Sequence, residues 1–513
     1  MMRGREAGGG TRRSTAFAQH RLWFIVRLIL AGPRPWAACC CLIILLYLFP
    51  ASAGELPELV DYVRQVLQNG PAARGLADEL MLSRFDIAEK DHLFDVKWVP
   101  LANFGASSGT GDQRLGMEAR QEMSGGASVA TGFTMSRLYQ DAYVLNDSHN
   151  MRGYVRVSQG LFRRWGEKYN TILREKSVMQ DRRKRVLAEK KRQDLIVSSV
   201  QKYLDLLLTT QVSATNKQAL ERAQRNLEVA RSRQAAGLVS KMDVYRAELA
   251  AIHAEDNLRE QERRRRQAEA ALYEEMGAEP PLEDGAEMGG NRIPPLSPII
   301  PEDWQQHLLN NRPEWIALQL EREEAQLDQF RARRNLQPDV AVSLYAEQKG
   351  SGDSFSSAGT LDETNWAVQL EMRSPLDNLV EKNDLSRTNI ALGRLRREEE
   401  RLRRLIPREA REGFDELQAE ESRRRLGQAR QEHADQALDL ARVRYERGLG
   451  DNTELLHAEE SRVTAELDIL RSSAAYNLAA VKLARALGVL DLAWLSQAAA
   501  EVKGEGRRVK REG

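Results

Sequence analysis

Cysteine is nearly missing from this chain. Three stand side by side at Cys39, Cys40 and Cys41, and none occurs elsewhere. A disulfide framework or a thiolate metal site is therefore excluded for any product that loses this segment. Histidine is sparse and scattered, at seven positions including His20. No HExxH, GxSxG or phosphate-cradling glycine motif is present, and no paired-carboxylate setting, so nothing asks for an enzyme, a cofactor or a catalytic metal. Long apolar runs are also lacking. The longest, Ala37 to Phe49, has 13 residues, against the ~20 that a membrane-spanning helix needs. Charge of one sign is absent too: 76 basic residues face 75 acids, which leaves no basic surface for nucleic acid. Aromatics are few, at 6%, and with abundant Ala, Leu, Glu and Arg this composition points to long helices.

The start of the chain reads as a secretory signal. Seven Lys or Arg precede residue 54, the apolar run follows, and Pro50 leads into the small-residue site Ala51-Ser52-Ala53. Cleavage after Ala53 is expected. It removes seven basic residues and one acid, turning the net charge from +1 to −5. An uncleaved anchor is the alternative, but the earlier apolar stretch Leu22 to Ala31 contains Arg27 and ends at Gly32-Pro33-Arg34-Pro35. A lipidated start at Cys39 has little support, because the apolar run follows that cysteine instead of preceding it.

What is present is a duplication. ARSRQAAGLVSKMDVYRAE (residues 230–248) returns as ARVRYERGLGDNTELLHAEE (residues 441–460), and the correspondence runs without gaps over 48 residues at an offset of 211. Gly237, Leu238, Val244, Ala247, Leu272 and Gly277 match Gly448, Leu449, Leu455, Ala458, Leu483 and Gly488. Gly237 and Gly448 stand where a helix ends in a left-handed residue. Ser240 to Asp243 and Asp451 to Glu454 then have the character of capping boxes that start the next helix. Each copy is read as a helical hairpin. Its outgoing helix carries a 3, 4 seam rich in Ala, with polar interruptions at Gln261, Arg265 and Arg462.

Helix lengths constrain the assembly. At ~1.5 Å per residue, the incoming helix 162–236 spans roughly 110 Å and its return helix 240–277 about 57 Å. The stretch 302–336 supplies a further ~52 Å, and we expect it to complete the first long helix. The second long helix, 378–447, is expected to be completed by 451–487 and by an N-terminal helix over 55–92. Pro407 is expected to bend it. The proline-rich segment Pro280 to Pro301 reads as a belt at mid-length.

At the far end from the glycine turns the pattern changes to period two. Val340, Val342 and Leu344 alternate with Ala341, Ser343 and Tyr345, and Trp366, Val368, Leu370 and Met372 alternate with polar neighbours. That alternation suits a transmembrane β-hairpin with one face to a lumen, and equally a half-buried soluble hairpin. Residues 95–104 and 152–159 are the counterparts in the first copy, which has an additional alternating pair, 114–123 and 127–138. Four to six strands cannot close a lipid-facing barrel alone, so several chains must share one.

With these features in place, the chain resembles the TolC-like outer-membrane factor family. The resemblance rests on the two Gly-Leu turns at Gly237 and Gly448, on RPEW at Arg312 to Trp315, on PDVAVSLY at Pro338 to Tyr345, and on Val157 to Phe162, where Gly160 stands in place of the family's proline. It implies a mainly α fold with a β part: a trimer in which an antiparallel coiled-coil helical barrel continues as a 12-stranded outer-membrane β-barrel. It implies the exit duct of a tripartite efflux pump or type I secretion system. The partners would be a periplasmic adaptor, an inner-membrane pump and outer-membrane lipid. The competing reading is a periplasmic coiled-coil scaffold or adaptor. Carried over by position, Gly237, Leu238, Gly448 and Leu449 are adaptor-docking candidates. Tyr445 and Asp243 match a latch of the closed tip, and Glu454 and His457 match the acidic ring positions, with Gly450 replacing a basic latch residue and His457 replacing an acid. The organisation expected is signal 1–53, first repeat 54–277, linker 278–301, second repeat 302–488 and tail 489–513.

Overall fold

The computed structural model describes residues 58–107, 110–140, 148–279, 296–374, 377–447 and 449–500. The signal, most of the linker, the last part of the tail and Gly448 lie outside them. All described residues belong to one unit of the chain.

Two helices open it, α1 (Leu59–Asn69) and α2 (Pro71–Asp91). The sequence reading made these one helix. The structure divides them because Pro71 disfavours helical geometry at the residue before it, and Gly70 is extended, with φ −61° and ψ 144°. Four strands follow, β1 (Lys97–Ser107), β2 (Thr110–Glu122), β3 (Ala127–Gln140) and β4 (Ser148–Gly160). The first long helix, α3 (Ile172–Ala235), has 64 residues, about 96 Å, with no Gly or Pro inside it. It begins ten residues later than its periodicity suggests, because the chain first crosses the end of the sheet, where the Leu161 amide donates to the Val340 carbonyl at 2.7 Å.

Helix α4 (Lys241–Met276) returns along α3. Then come α5 (Trp304–Asn311) and α6 (Pro313–Asn335), separated at Arg312 for the same pre-proline reason. Strands β5 (Asp339–Gly352) and β6 (Glu363–Arg373) precede the second long helix, α7 (Leu379–Glu446), which continues through Pro407. Helix α8 (Asn452–Ala486) returns along it.

The short helices pair with the long ones in the opposite sense to the expectation from length. Helix α2, not 302–336, continues the line of α4 along α3, where Lys191 meets Glu79 at 2.8 Å and Lys184 meets Asp86 at 3.1 Å. The α1–α2 junction abuts the end of α4, where the Tyr62 hydroxyl donates to Glu275 at 2.7 Å and the Tyr62 ring stacks on Tyr203. Helix α6 in turn completes α8 along α7, through Arg322 and Glu399 at 3.0 Å and Gln329 and Asn389 at 2.7 Å. Residue counts could not separate these choices, since both pairs of short helices have similar summed lengths. Both α2 and α6 make ion pairs to α3, and the end-to-end junctions decide it: Gly277 at the end of α4 lies against Pro71, and Gly488 after α8 against Asn311.

Helices α8 and α6 also lie against α3, through Arg222 and Glu459 at 2.9 Å and Lys176 and Asp328 at 2.8 Å. The helices thus form a single-layer wall. Its apolar core includes Leu308, Leu402, Ile406, Ala410, Leu483 and Leu487. The small residues of the seam allow close approach: a Cβ on Gly427 of α7 would come within 3.3 Å of Ile469 on α8. The polar interruptions are matched by partners, Arg462 with Asp435 at 2.9 Å and Arg265 with Glu269 at 3.5 Å.

Arg312 explains the RPEW motif. Its side chain is buried and donates to the Ala486 carbonyl at 2.8 Å, to Glu409 at 2.6 Å and to Glu314 at 3.1 Å. It therefore closes the end of α8 while Pro313 starts α6 at a position where a missing N–H costs nothing. Burial raises the Glu314 carboxyl, but Arg312, with Lys190 beside it, holds it below the ordinary carboxylate range.

The six strands form one antiparallel sheet in the order β1-β2-β3-β4-β5-β6. The additional pair, β2 and β3, lies within the sheet, between β1 and β4, so one chain has six strands where a 12-stranded trimer implies four. Register pairs Leu115 with Met135, Val129 with Val157, Leu344 with Val157 and Val368 with Leu344, so one apolar face continues across the strands. The opposite face is polar, with Arg152 and Glu347 3.6 Å apart and Arg156 over the Tyr345 ring.

Candidate docking and gating site

Both long helices leave the sheet at their N-terminal ends and turn at their C-terminal ends, so the two turns lie at the opposite limit of the wall. In the first turn Gly237 has φ +76°, a conformation that a side chain resists. A Cβ there would meet nothing within 4 Å, so backbone geometry alone calls for glycine. The Leu238 amide donates back to the Arg233 carbonyl at 2.9 Å and closes the last turn of α3. In the second turn the Leu449 amide donates to the Arg444 carbonyl at 2.9 Å in the same manner. Leu238 is 74% exposed and Leu449 71% exposed. Large apolar side chains held outward on two tight turns form a surface that lacks a cover among the described residues.

The helix starts differ. Ser240 and Asp243 form the expected capping box: the Ser240 Oγ accepts from the Asp243 amide at 3.3 Å, and the Asp243 carboxylate accepts from the Ser240 amide at 3.0 Å and hydroxyl at 2.7 Å. These bonds, with Arg246 nearby, hold the Asp243 carboxyl below its ordinary value. Asp451 makes no side-chain cap bond, which corrects the second capping box. Its partner Glu454 turns away to Arg444, 2.9 Å off, a bond in which donor and acceptor are both ionised.

Tyr445 and Asp243 do not meet. Tyr445 is 4% exposed and packs with Leu438, Ala441 and Leu455. Its hydroxyl is buried without a hydrogen-bond partner among the described residues. What joins the hairpins is a set of bonds that residue-by-residue carry-over missed. Arg233 of α3 reaches across to donate to the last carbonyls of α7, Tyr445 at 2.9 Å and Glu446 at 3.2 Å, and its guanidinium lies 4.2 Å from the centre of the Tyr445 ring. Arg246 donates to the Thr453 hydroxyl at 3.1 Å, and the Asn452 side-chain Nδ2 donates to the Asp243 backbone carbonyl at 3.2 Å. The repeat held the signal for the first of these, because Arg233 and Arg444 are equivalent at the 211-residue offset. Arg444 lies beside Gly450, where an added Cβ would come within 3.2 Å of it. His457 projects from α8 with its side chain 75% exposed, and its nearest acid is Glu460 at 3.9 Å.

Among the described residues no group of His, Cys, Asp and Glu is arranged to hold a metal, and no helix is long and apolar enough to cross a membrane.

Comparison with known proteins bears on this arrangement. Residues 304–489 match the model of the outer membrane efflux protein family. No curated protein sequence matches the chain. Among solved structures, a membrane protein from Pseudomonas aeruginosa is similar, with TM-score 0.66 and 19% identity, covering 85% of this chain and 91% of that one. The outer-membrane channel OprN gives TM-score 0.68 at 17% identity over 84% and 90% of the two chains. The open state of the MtrE outer membrane channel of Neisseria gonorrhoeae gives 0.62 at 16% identity over 84% and 89%. The likeness to the TolC-like outer-membrane factors drawn from the sequence is borne out by these matches, and the fold is that of outer-membrane efflux channels.

Proposed function

We propose that the chain is the outer-membrane exit duct of an efflux assembly and not an enzyme, working as a homotrimer whose helical wall crosses the periplasm. The observation that carries this reading is the six-stranded sheet with one continuous apolar face, placed at the opposite limit of two ~100 Å helices from a pair of exposed Leu turns. A soluble scaffold has no use for an apolar sheet face that carries Trp98, Phe104, Trp366 and Leu370, each more than two-thirds exposed. The helical wall also has two open edges with exposed apolar residues, Met81, Leu82 and Phe85 on α2 and Ile390, Leu426 and Leu440 on α7. Neighbouring copies covering both edges would close the wall into a tunnel.

In this reading Leu238 and Leu449, with the Gly237 and Gly448 turns, receive a periplasmic adaptor, and the bonds of Arg233, Arg246 and Asn452 keep the tip closed. Glu454 and His457 stand beside the turns, where they would line a constriction. Burial by a partner helix would contribute about 1.5–3 kcal/mol per Leu. Leu238→Asp and Leu449→Asp should therefore abolish export of a marker substrate in cells while native mass spectrometry still records trimers. Normal export by the double variant would remove the docking assignment. Export through a type I secretion system remains a variant of the same duct, distinguished by which inner-membrane partner co-purifies.

A further inference from the structure

We propose that each copy contributes six strands to the shared barrel, so that three copies close an eighteen-stranded wall with a lumen wide enough for bulky cargo. This rests on the duct reading above. A four-strand share requires β1 to pair directly with β4, and in the structure they are separated by two strands that are hydrogen-bonded on both sides. The inserted hairpin also continues both faces of the sheet. Leu115, Met117 and Phe133 lie on the apolar face in register with Ala102, Pro100 and Gly153, and are 39 to 52% exposed. Arg114, Glu118 and Arg120 lie on the polar face, where Glu118 accepts a hydrogen bond from the Tyr154 hydroxyl of β4. A hairpin standing beyond the membrane would leave this apolar row in water. One folded into the lumen would lose its ladders to β1 and β4.

The two remaining edges, β1 and β6, have no strand beside them among the described residues. Unpaired edges cannot face hydrocarbon, so they are the surfaces that further copies of the chain must cover. Strands about 4.8 Å apart and tilted by roughly 40° close at eighteen on a diameter of about 36 Å, against about 24 Å for twelve. The lumen face balances its charges at short range: Arg114 and Asp112 are 3.9 Å apart, Arg120 and Glu122 4.0 Å, and Lys349 and Glu363 3.8 Å. Such a wall sorts cargo weakly by charge, which leaves selection to the turn end of the tunnel.

Electron cryomicroscopy of the full chain in lipid nanodiscs tests this. Eighteen strands around one barrel are expected. A twelve-stranded barrel with residues 110–140 outside its wall would overturn the proposal and leave the duct reading intact, whereas a soluble particle with no barrel would overturn both. Cysteine labelling gives a second measure, since no cysteine follows Cys41. In proteoliposomes, Arg114→Cys should react with a water-soluble maleimide at least tenfold faster than Leu115→Cys, its neighbour on the lipid face. Equal rates would refute the placement of the hairpin.

Discussion

Replacing Arg233 by Met keeps the aliphatic stem and removes the tie between the hairpins. In the structure this guanidinium makes two hydrogen bonds to the carbonyl end of α7 and lies against the Tyr445 ring. Bonds from a charged group contribute about 1.5–3 kcal/mol each when well buried, and a partly exposed cation over a ring about 0.5–1 kcal/mol. Arg233 is only half-buried, and solvent screening takes such contributions to the low end, so the tie is worth about 2 kcal/mol in each copy. That corresponds to roughly a 30-fold shift between closed and open tips. Single-channel recording in planar bilayers should show Arg233→Met passing a larger mean current than the parent. Arg231→Met serves as the control, because among the described residues Arg231 pairs with Glu248 of its own hairpin, at 3.4 Å and largely exposed. Tyr445→Phe should leave the closed state unchanged or firmer, since it removes a buried hydroxyl that lacks a partner. Equal currents for Arg233→Met and the parent, or an open channel in Tyr445→Phe, would show that the closed tip is held elsewhere.

Two further outcomes concern stability. Arg312→Met should destabilise the fold by about 1.5–3 kcal/mol, because the Ala486 carbonyl loses its charged donor and the half-buried Glu314 is left to Lys190 at 3.5 Å and Arg485 at 3.8 Å; a thermal-melt loss below about 1 kcal/mol would refute the account. The Asp243 carboxyl is held low by the Ser240 bonds, so its contribution is present above the unfolded carboxyl value of ~3.9 and lost as pH falls through the folded one. Amide-exchange protection of the first turn of α4 should hold from pH 8 to about 5 and fall below about pH 4, while Ser240→Ala should weaken that turn by about 1 kcal/mol and flatten its acid response. A parent-like acid response in Ser240→Ala would place the pH-sensitive group elsewhere.

Local chemistry determined a great deal here. Periodicity of 3.6 and of 2, two glycines at a 211-residue offset, and the scarcity of cysteine, histidine and long apolar runs were enough for the helical hairpins, the amphipathic strands and a likeness to one family. These features depend on residues near each other in the chain, and each residue carries its own propensity. What only the tertiary structure decided were the choices between equivalent partners. Residue counts allowed α2 or α6 to continue the line of α4 along α3, and the junction where Tyr62 meets Glu275 chose α2. Alternation in β2 and β3 suited either a separate hairpin or part of the main sheet, and long-range ladders to β1 and β4 chose the sheet. Arg233 and Arg444 occupy matching places in the repeat, yet one reaches across to α7 and the other down to Glu454. The reason is common to all three: a hydrogen bond or ion pair between distant segments depends on which chains lie within about 3 Å of each other, and a repeated sequence presents the same donor to different neighbours.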